Sequence, residues 1–253
     1  MTLRLEKDGA IARLSIDRAE KRNAFTQVMW EQFPVLLGDA MADDAIKVLI
    51  LHSAAPGIFS AGADIAEFGA GALDPDWRTR NQAAIARAQI ELARAPKPVI
   101  AAIDGVCVGG GCGLAIACDM RVASATSRFG ITPAKLGLVY SLHDTKLLVD
   151  LVGPAQAKRI LFTAQLLDAA EAARIGLVEI IAADPLGEAM ALATTIAEAS
   201  SHSVRETKKI VRRILDGQAD DDSETQALFA GAFTGADFQE GVSAFLEKRK
   251  ARF

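Results

Sequence analysis

Asp104 to Ser124, DGVCVGGGCGLAIACDMRVAS, is the stretch that could do chemistry without reactive side chains. Four of the five residues from Gly109 to Gly113 are glycine, and no side chain from Val106 to Cys118 is charged. The run reads as a loop between a strand ending near Asp104 and a helix from about Gly110 to Cys118. Amides at a helix start lack intrahelical partners, and the helix dipole favours negative charge there. Glycine carries no Cβ to hold a ligand off, so such a loop suits a developing oxyanion. Phosphate binding is the competing chemistry, but there is no GxGxxG and no GK[ST] ending. Read alone, the glycines serve close helix–strand packing equally well. A second loop, FSAGADI from Phe59 to Ile65, offers another glycine-flanked amide at a strand-to-helix junction.

Groups able to move protons stand elsewhere, in TPAKLGLVYSLHDTK: Thr132, Tyr140, Ser141, His143 and Asp144. Tyr140 is the only tyrosine, and a phenol titrating near 10 donates hydrogen bonds better than it takes protons at neutral pH. His143 reads as an acid or base, or as helix surface. Asp144 falls in the first turn of a helix from Ser141, where the dipole favours a carboxylate, so capping comes before catalysis. Asp64 and Glu67 beside the second loop are further candidate bases, with Asp64 read first as a helix cap. Cys107, Cys112 and Cys118 lack CxxC spacing and His52, His143 and His202 lie far apart. Reduced buried thiols and no metal site are therefore expected.

The elements that must carry these residues are α/β. LRLEKDGAIARLSID alternates around Asp8-Gly9 and predicts a hairpin. A helix follows from the N-cap Thr26, with Pro34 expected to kink or break it. KVLILHS and KPVIAAIDG read as buried strands, and DPDWRTRNQAAIARAQIELARAP as a helix. Strand, loop and short helix occur in the same order at Val48 to Glu67 and again around the glycine run, which suggests a spiral of ββα turns. From Gly153 onward nearly everything reads as helix, with segments near 186–199, 203–216, 221–231 and 237–250. No linker separates a second domain, so residues 1–253 are expected to form one unit, a spiral core to about 185 and a helical region from 186 to 253. The net charge of −4 argues against nucleic-acid binding, and no apolar run reaches the ~20 residues of a membrane span. The start MTLRLEKDGA lacks a signal-peptide core, so a cytoplasmic protein is expected.

Five separated motifs, IFSAGADIAEF, PVIAAIDGVCVGGGCGLAIACDMRVAS, FGITPAKLGLV, LFTAQLLDAAEAARIGLV and EGVSAFLEKRKARF, resemble the enoyl-CoA hydratase/isomerase (crotonase) family in family order over essentially the whole chain. The resemblance implies an α/β, crotonase-type ββα spiral core with a helical C-terminal region, and homotrimers or hexamers. It also implies an acyl-CoA substrate and no separate cofactor, coenzyme A being part of the substrate. Carried over by position, the N–H groups of Ala61 and Gly110 form the oxyanion hole for a thioester enolate. Lys21, Arg22, Asn23 and Ala24, with Gly62, Ala63, Asp64, Ile65 and Gly109, resemble the segments lining the CoA site. Lys248 and Arg249 resemble its phosphate contacts.

The sequence departs from the family where hydratases keep two glutamates. Gly113 stands at the first position and Pro133 at the second, and at the usual isomerase carboxylate stands Ser141. Thr-Pro followed by LGxxY resembles the methylmalonyl-CoA decarboxylase branch, which nevertheless retains a glutamate where this chain has Gly113. Decarboxylation of a malonyl-type CoA, thioester hydrolysis and non-catalytic acyl-CoA binding thus stand beside the hydratase/isomerase expectation.

Overall fold

The computed structural model describes residues 2–253. β1 (Leu3–Asp8) and β2 (Ile11–Ile16) form the expected antiparallel hairpin, Asp8 paired with Ile11 and Gly9 turning at φ 57°. β3 (Val48–Ser53), β5 (Val99–Ile103) and β7 (Met120–Ala123) continue that sheet in parallel. Its order is β1-β2-β3-β5-β7-β10, with β10 at Ile180–Ile181. A second sheet, β4-β6-β8-β9, is built from Ile58–Ser60, Val106–Val108, Arg128–Gly130 and Leu167–Asp168. Each spiral turn lays one strand in the first sheet, the next in the second, and then adds a helix. Those helices are α2 (Ile65–Gly71) with α3 (Pro75–Ala93), then α4 (Gly110–Ala117), then α5 (Leu142–Thr163).

The turns stack closely. A Cβ on Gly105, at φ +75°, would overlap the backbone of Gly57, whose N–H donates to the Asp104 carboxylate at 2.7 Å. Successive ββ corners therefore touch backbone to backbone, which fixes where the loops above them emerge. The apolar run of β3 is buried on both faces, as a strand covered on both sides requires. Leu49 and Leu51 join the main core, while Val48 and Ile50 pack with Ala189 and Ala193 of α7 (Pro185–Ala197).

α1 runs unbroken from Gln27 to Ala42 with Pro34 inside and Thr26 as its N-cap, so the expected break is absent. The stretch after Gly153 is nearly all helical, as expected, apart from two short strands. β9 and β10 interrupt it, because two-residue strands completing a sheet are set by their partners β8 and β7 and leave no periodic signal of their own. α6 (Ala169–Arg174) lies between them. α8 (Ser201–Leu215), α9 (Ser223–Ala232) and α10 (Ala236–Glu247) end the chain, and Phe229, Phe238 and Phe245 on the last two, with Phe233 just after α9, are exposed. No helix among the described residues is long and apolar enough to cross a membrane.

Candidate active site

The two loops meet at the N-terminus of α4. Gly109, at φ 55°, precedes that helix, and its N–H donates to the Gly130 carbonyl at 2.8 Å, drawing the end of β8 alongside. A Cβ on Gly62 would sit 2.7 Å from the Gly110 nitrogen and 2.9 Å from the Val108 carbonyl oxygen. Only glycine fits there, at φ +88°.

Following each N–H of the second loop corrects one expectation. Ala61 donates to the Arg22 carbonyl at 2.9 Å, Gly62 to Ser60 Oγ at 3.1 Å, and Asp64 to the Phe25 carbonyl at 2.8 Å. Ala63 N–H has no partner among the described residues, and it lies 3.7 Å from where a Gly110 Cβ would be. Gly110 is the first residue of α4, so its own N–H has no intrahelical acceptor. The pair of open donors is therefore Ala63 and Gly110; Ala61 is spent in the scaffold. Which N–H remains open depends on the Arg22 and Phe25 carbonyls, far away in the chain, together with Ser60 inside the loop, and FSAGADI by itself does not mark it.

The two distant acceptors come from the 22–25 segment expected beside this loop. Lys21 and Arg22 are exposed at its edge and Ala24 is buried. Asn23 is fully buried, and its amide donates to Ser53 Oγ at 2.8 Å and to the Ile58 and Phe59 carbonyls at 3.1 and 3.0 Å. Asn23 is a structural clamp and is not free for a ligand. Asp64 caps α2 through the Ala66 and Glu67 N–H groups and pairs with Arg18 at 2.8 Å. That guanidinium contact holds its carboxyl below the usual range. Glu67 accepts from the Gln27 N–H at 2.7 Å. Asp64 is thus committed to its cap and to Arg18, whereas Glu67 accepts this one hydrogen bond among the described residues and keeps its other oxygen unengaged. Ile65 is exposed at the start of α2.

Gly113 lies one turn from Gly110 on the same face of α4. A Cβ there would overlap the side-chain amide of Gln89 on α3 and come within 3.0 Å of the Tyr140 hydroxyl. Gln89 had no place among the candidates, although Ile85, Ala88, Gln89 and Leu92 follow the i, i+3, i+4, i+7 pattern of a buried stripe. A polar residue in such a stripe was the available signal. One end of its amide faces both oxygens of Asp144, and because a carboxylate only accepts, that end is assigned as the nitrogen, 2.7 Å from one oxygen. Asp144 also accepts from Ser141 Oγ at 2.7 Å and contacts His143 Nδ1 at 3.1 Å.

Asp144 is thus not a cap. Ser141 caps α5, receiving the Asp144 N–H at 3.1 Å, and the Asp144 side chain turns inward, 4 % exposed. A carboxylate offers about four acceptor positions, and Gln89, Ser141 and His143 approach its two oxygens with four contacts. No position is left for a substrate proton. Because a carboxylate only accepts, the His143 nitrogen facing it carries the proton. His143 Nε2 is buried without a partner. The Tyr140 hydroxyl is likewise buried and unpartnered, and burial, then the Asp144 charge, hold its pKa well above the usual phenol range. It is a neutral donor.

Thr132, half-buried, precedes the 3-10 turn that Pro133 opens, and its hydroxyl makes no hydrogen bond among the described residues. Arg249 departs from its expected role: it binds both oxygens of Glu240 at 2.6 and 2.9 Å and Glu247 at 2.6 Å. A guanidinium committed in this way is not a free phosphate contact, whereas the neighbouring Lys248 is exposed. Among the described residues no group of three or more His, Cys, Asp or Glu could hold a metal ion.

Glutamate at position 113 competes with Gln89 for one volume. Gly113→Glu is expected to cost about 1–3 kcal/mol as overpacking, a drop of several degrees in melting temperature. Gln89→Ala in the same chain should recover part of it. Equal melting temperatures for Gly113→Glu and wild type would show that the two side chains do not share this space.

Comparison with known proteins agrees with this architecture. Residues 6–253 match the family profile described as enoyl-CoA hydratase/isomerase. The chain is 35% identical to a crotonyl-CoA hydratase of Syntrophomonas wolfei subsp. wolfei, over 98% of this chain and 96% of that protein. It is 33% identical to a short-chain-enoyl-CoA hydratase of Clostridium acetobutylicum, over 97% and 95% respectively. An enoyl-CoA hydratase/isomerase family protein from Hyphomonas neptunium superposes with a TM-score of 0.97 at 41% identity, covering 100% of this chain and 97% of that one. The enoyl-CoA hydratase of Bacillus anthracis superposes at 0.92 with 26% identity, covering 100% and 99%. With its spiral of ββα turns and a full-length match, the chain belongs to the enoyl-CoA hydratase/isomerase family of enzymes acting on acyl-CoA thioesters.

Proposed function

We propose that the enzyme moves a proton at the α-carbon of an acyl-CoA thioester, with the Ala63 and Gly110 N–H groups holding the thioester oxygen as the enolate forms. The observation carrying this reading is that the two loops bring the open Ala63 and Gly110 donors to one point, while Ala61, Gly62, Asp64 and Gly109 donate elsewhere. His143 Nε2 is the proton-moving group, and Tyr140 donates a hydrogen bond to substrate. In enolisation the Cα–H bond breaks, its proton goes to Nε2, and its electron pair forms the C=C bond while the carbonyl becomes C–O⁻. In hydration, water oxygen bonds the β-carbon as its O–H proton goes to Nε2 and the C=C pair moves into the enolate, and Nε2 then returns that proton to Cα as the carbonyl re-forms. Preorganised donors stabilise the charge that both routes share.

Decarboxylation of a malonyl-type ester has less support. A substrate carboxylate beside Tyr140 would meet the Asp144 carboxylate, and like charges at close range in a buried site repel strongly. Thioester hydrolysis is the second reading, favoured by the open Nε2 of a His–Asp pair, which suits activation of water. The exposed aromatic residues of α9 and α10 support the expectation that copies of the chain assemble, as trimers or hexamers.

Butyryl-CoA in heavy water tests the shared step, and mass spectrometry reads it. Deuterium at the α-carbon is expected, because enolate formation needs no net reaction. Crotonyl-CoA then separates the outcomes: gain of one water marks hydration, and release of free CoA marks hydrolysis. Loss of CO₂ from methylmalonyl-CoA would restore decarboxylation. Binding of these esters with neither exchange nor product would replace catalysis by a scaffold role.

A further inference from the structure

α3 spends a buried position on an amide. Gln89 is 1% exposed and occupies a slot of the apolar stripe formed by Ile85, Ala88 and Leu92. A primary amide brought inside a protein is costly unless its donors and acceptor are matched. Its nitrogen is matched by the two oxygens of Asp144. The room it fills is room that α4 vacates by having glycine at 113.

We infer that Gln89 is a positioning residue. From α3 it fills the space a side chain at position 113 would take, and it holds Asp144 so that Asp144 fixes His143 with Nδ1 protonated and Nε2 open. This rests on the proton-transfer reading above for its catalytic meaning, but the ring state it sets is a property of the resting protein. The identity of the protonated nitrogen in an imidazole follows from the hydrogen bond at the other one. Without Gln89 the carboxylate keeps only Ser141 and His143 as donors, and its plane is free to turn. The ionisable groups facing Asp144 are His143 on its own helix and Tyr140 from the preceding segment, with the Cys112 and Cys107 thiols near Tyr140.

The test uses the full-length protein with ¹⁵N-labelled histidine. There are three histidines, and His143→Gln identifies the ring by loss of its signals. Long-range ¹H–¹⁵N correlations at about pH 8, above the ordinary histidine range, report which nitrogen carries the proton. Wild type is expected to show Nδ1–H with Nε2 bare. Gln89→Met keeps the volume and removes both donors; it is expected to give a mixture of tautomers. Exchange of butyryl-CoA α-protons should fall by about 10²-fold in kcat, with KM little changed. A wild-type ring protonated on Nε2 overturns the inference even if the variant fails to fold, and so does a Gln89→Met ring identical to wild type. By contrast, full turnover in His143→Gln would overturn the proton-transfer reading while leaving the effect of Gln89 on the ring intact.

Discussion

Replacing His143 with glutamine lowers kcat for α-proton exchange by about 10²- to 10⁴-fold and leaves KM for the CoA ester little changed. Glutamine retains a hydrogen-bonding side chain of similar reach but cannot take up a proton. Loss in kcat alone is the sign of an interaction made in the transition state and not in the ground state. Asp144 has every acceptor position engaged, so the imidazole is the open proton carrier of the cluster. Asp144→Asn should also be slow. Its amide would present N–H to Nδ1 and favour the opposite tautomer, leaving a proton on the nitrogen that should be bare. Steady-state exchange measured for both variants decides the matter: unchanged kcat in His143→Gln would move the chemistry to another group.

Gly110→Pro tests the other half of the site. The first position of a helix tolerates proline, whose missing N–H would have no intrahelical partner there. Here that N–H is one of the two open donors. A Cβ at 110 approaches the Trp30 ring at 2.9 and 3.1 Å, so proline has a steric effect as well. Gly110→Ala carries the same Cβ and keeps the N–H. Between these two variants kcat/KM is expected to differ by about 10²- to 10³-fold, the size of one oxyanion donor. Equal turnover in the two would remove the Gly110 amide from the mechanism.

Legibility in the sequence follows the range of the interactions. Strands such as KVLILHS and the caps Thr26 and Asp64 depend on near neighbours, and they stand where the pattern placed them. The glycine run also opens its helix at Gly110. What the sequence concealed depends on partners far along the chain. Ala61 looked open until the Arg22 carbonyl came across to it, and Arg249 looked free until Glu240 folded against it. Asp144 was placed correctly in its helix turn, yet Gln89, 55 residues earlier in the sequence, turns it from a cap into part of the site. Gln89 itself was legible only as a polar residue out of place in an apolar stripe.

The volume shared by Gly113 and Gln89 also constrains how this enzyme could change its chemistry over generations. Acquiring a carboxylate at 113 first meets an occupied space, and losing the glutamine first leaves a hole beside an under-supported Asp144. Each single step is worse than either endpoint, so the two arrangements are separated by a valley of unfit intermediates and not by a gradual slope. Lineages on either side would be expected to keep their pair of residues together, and the identity of residue 89 would forecast that of residue 113.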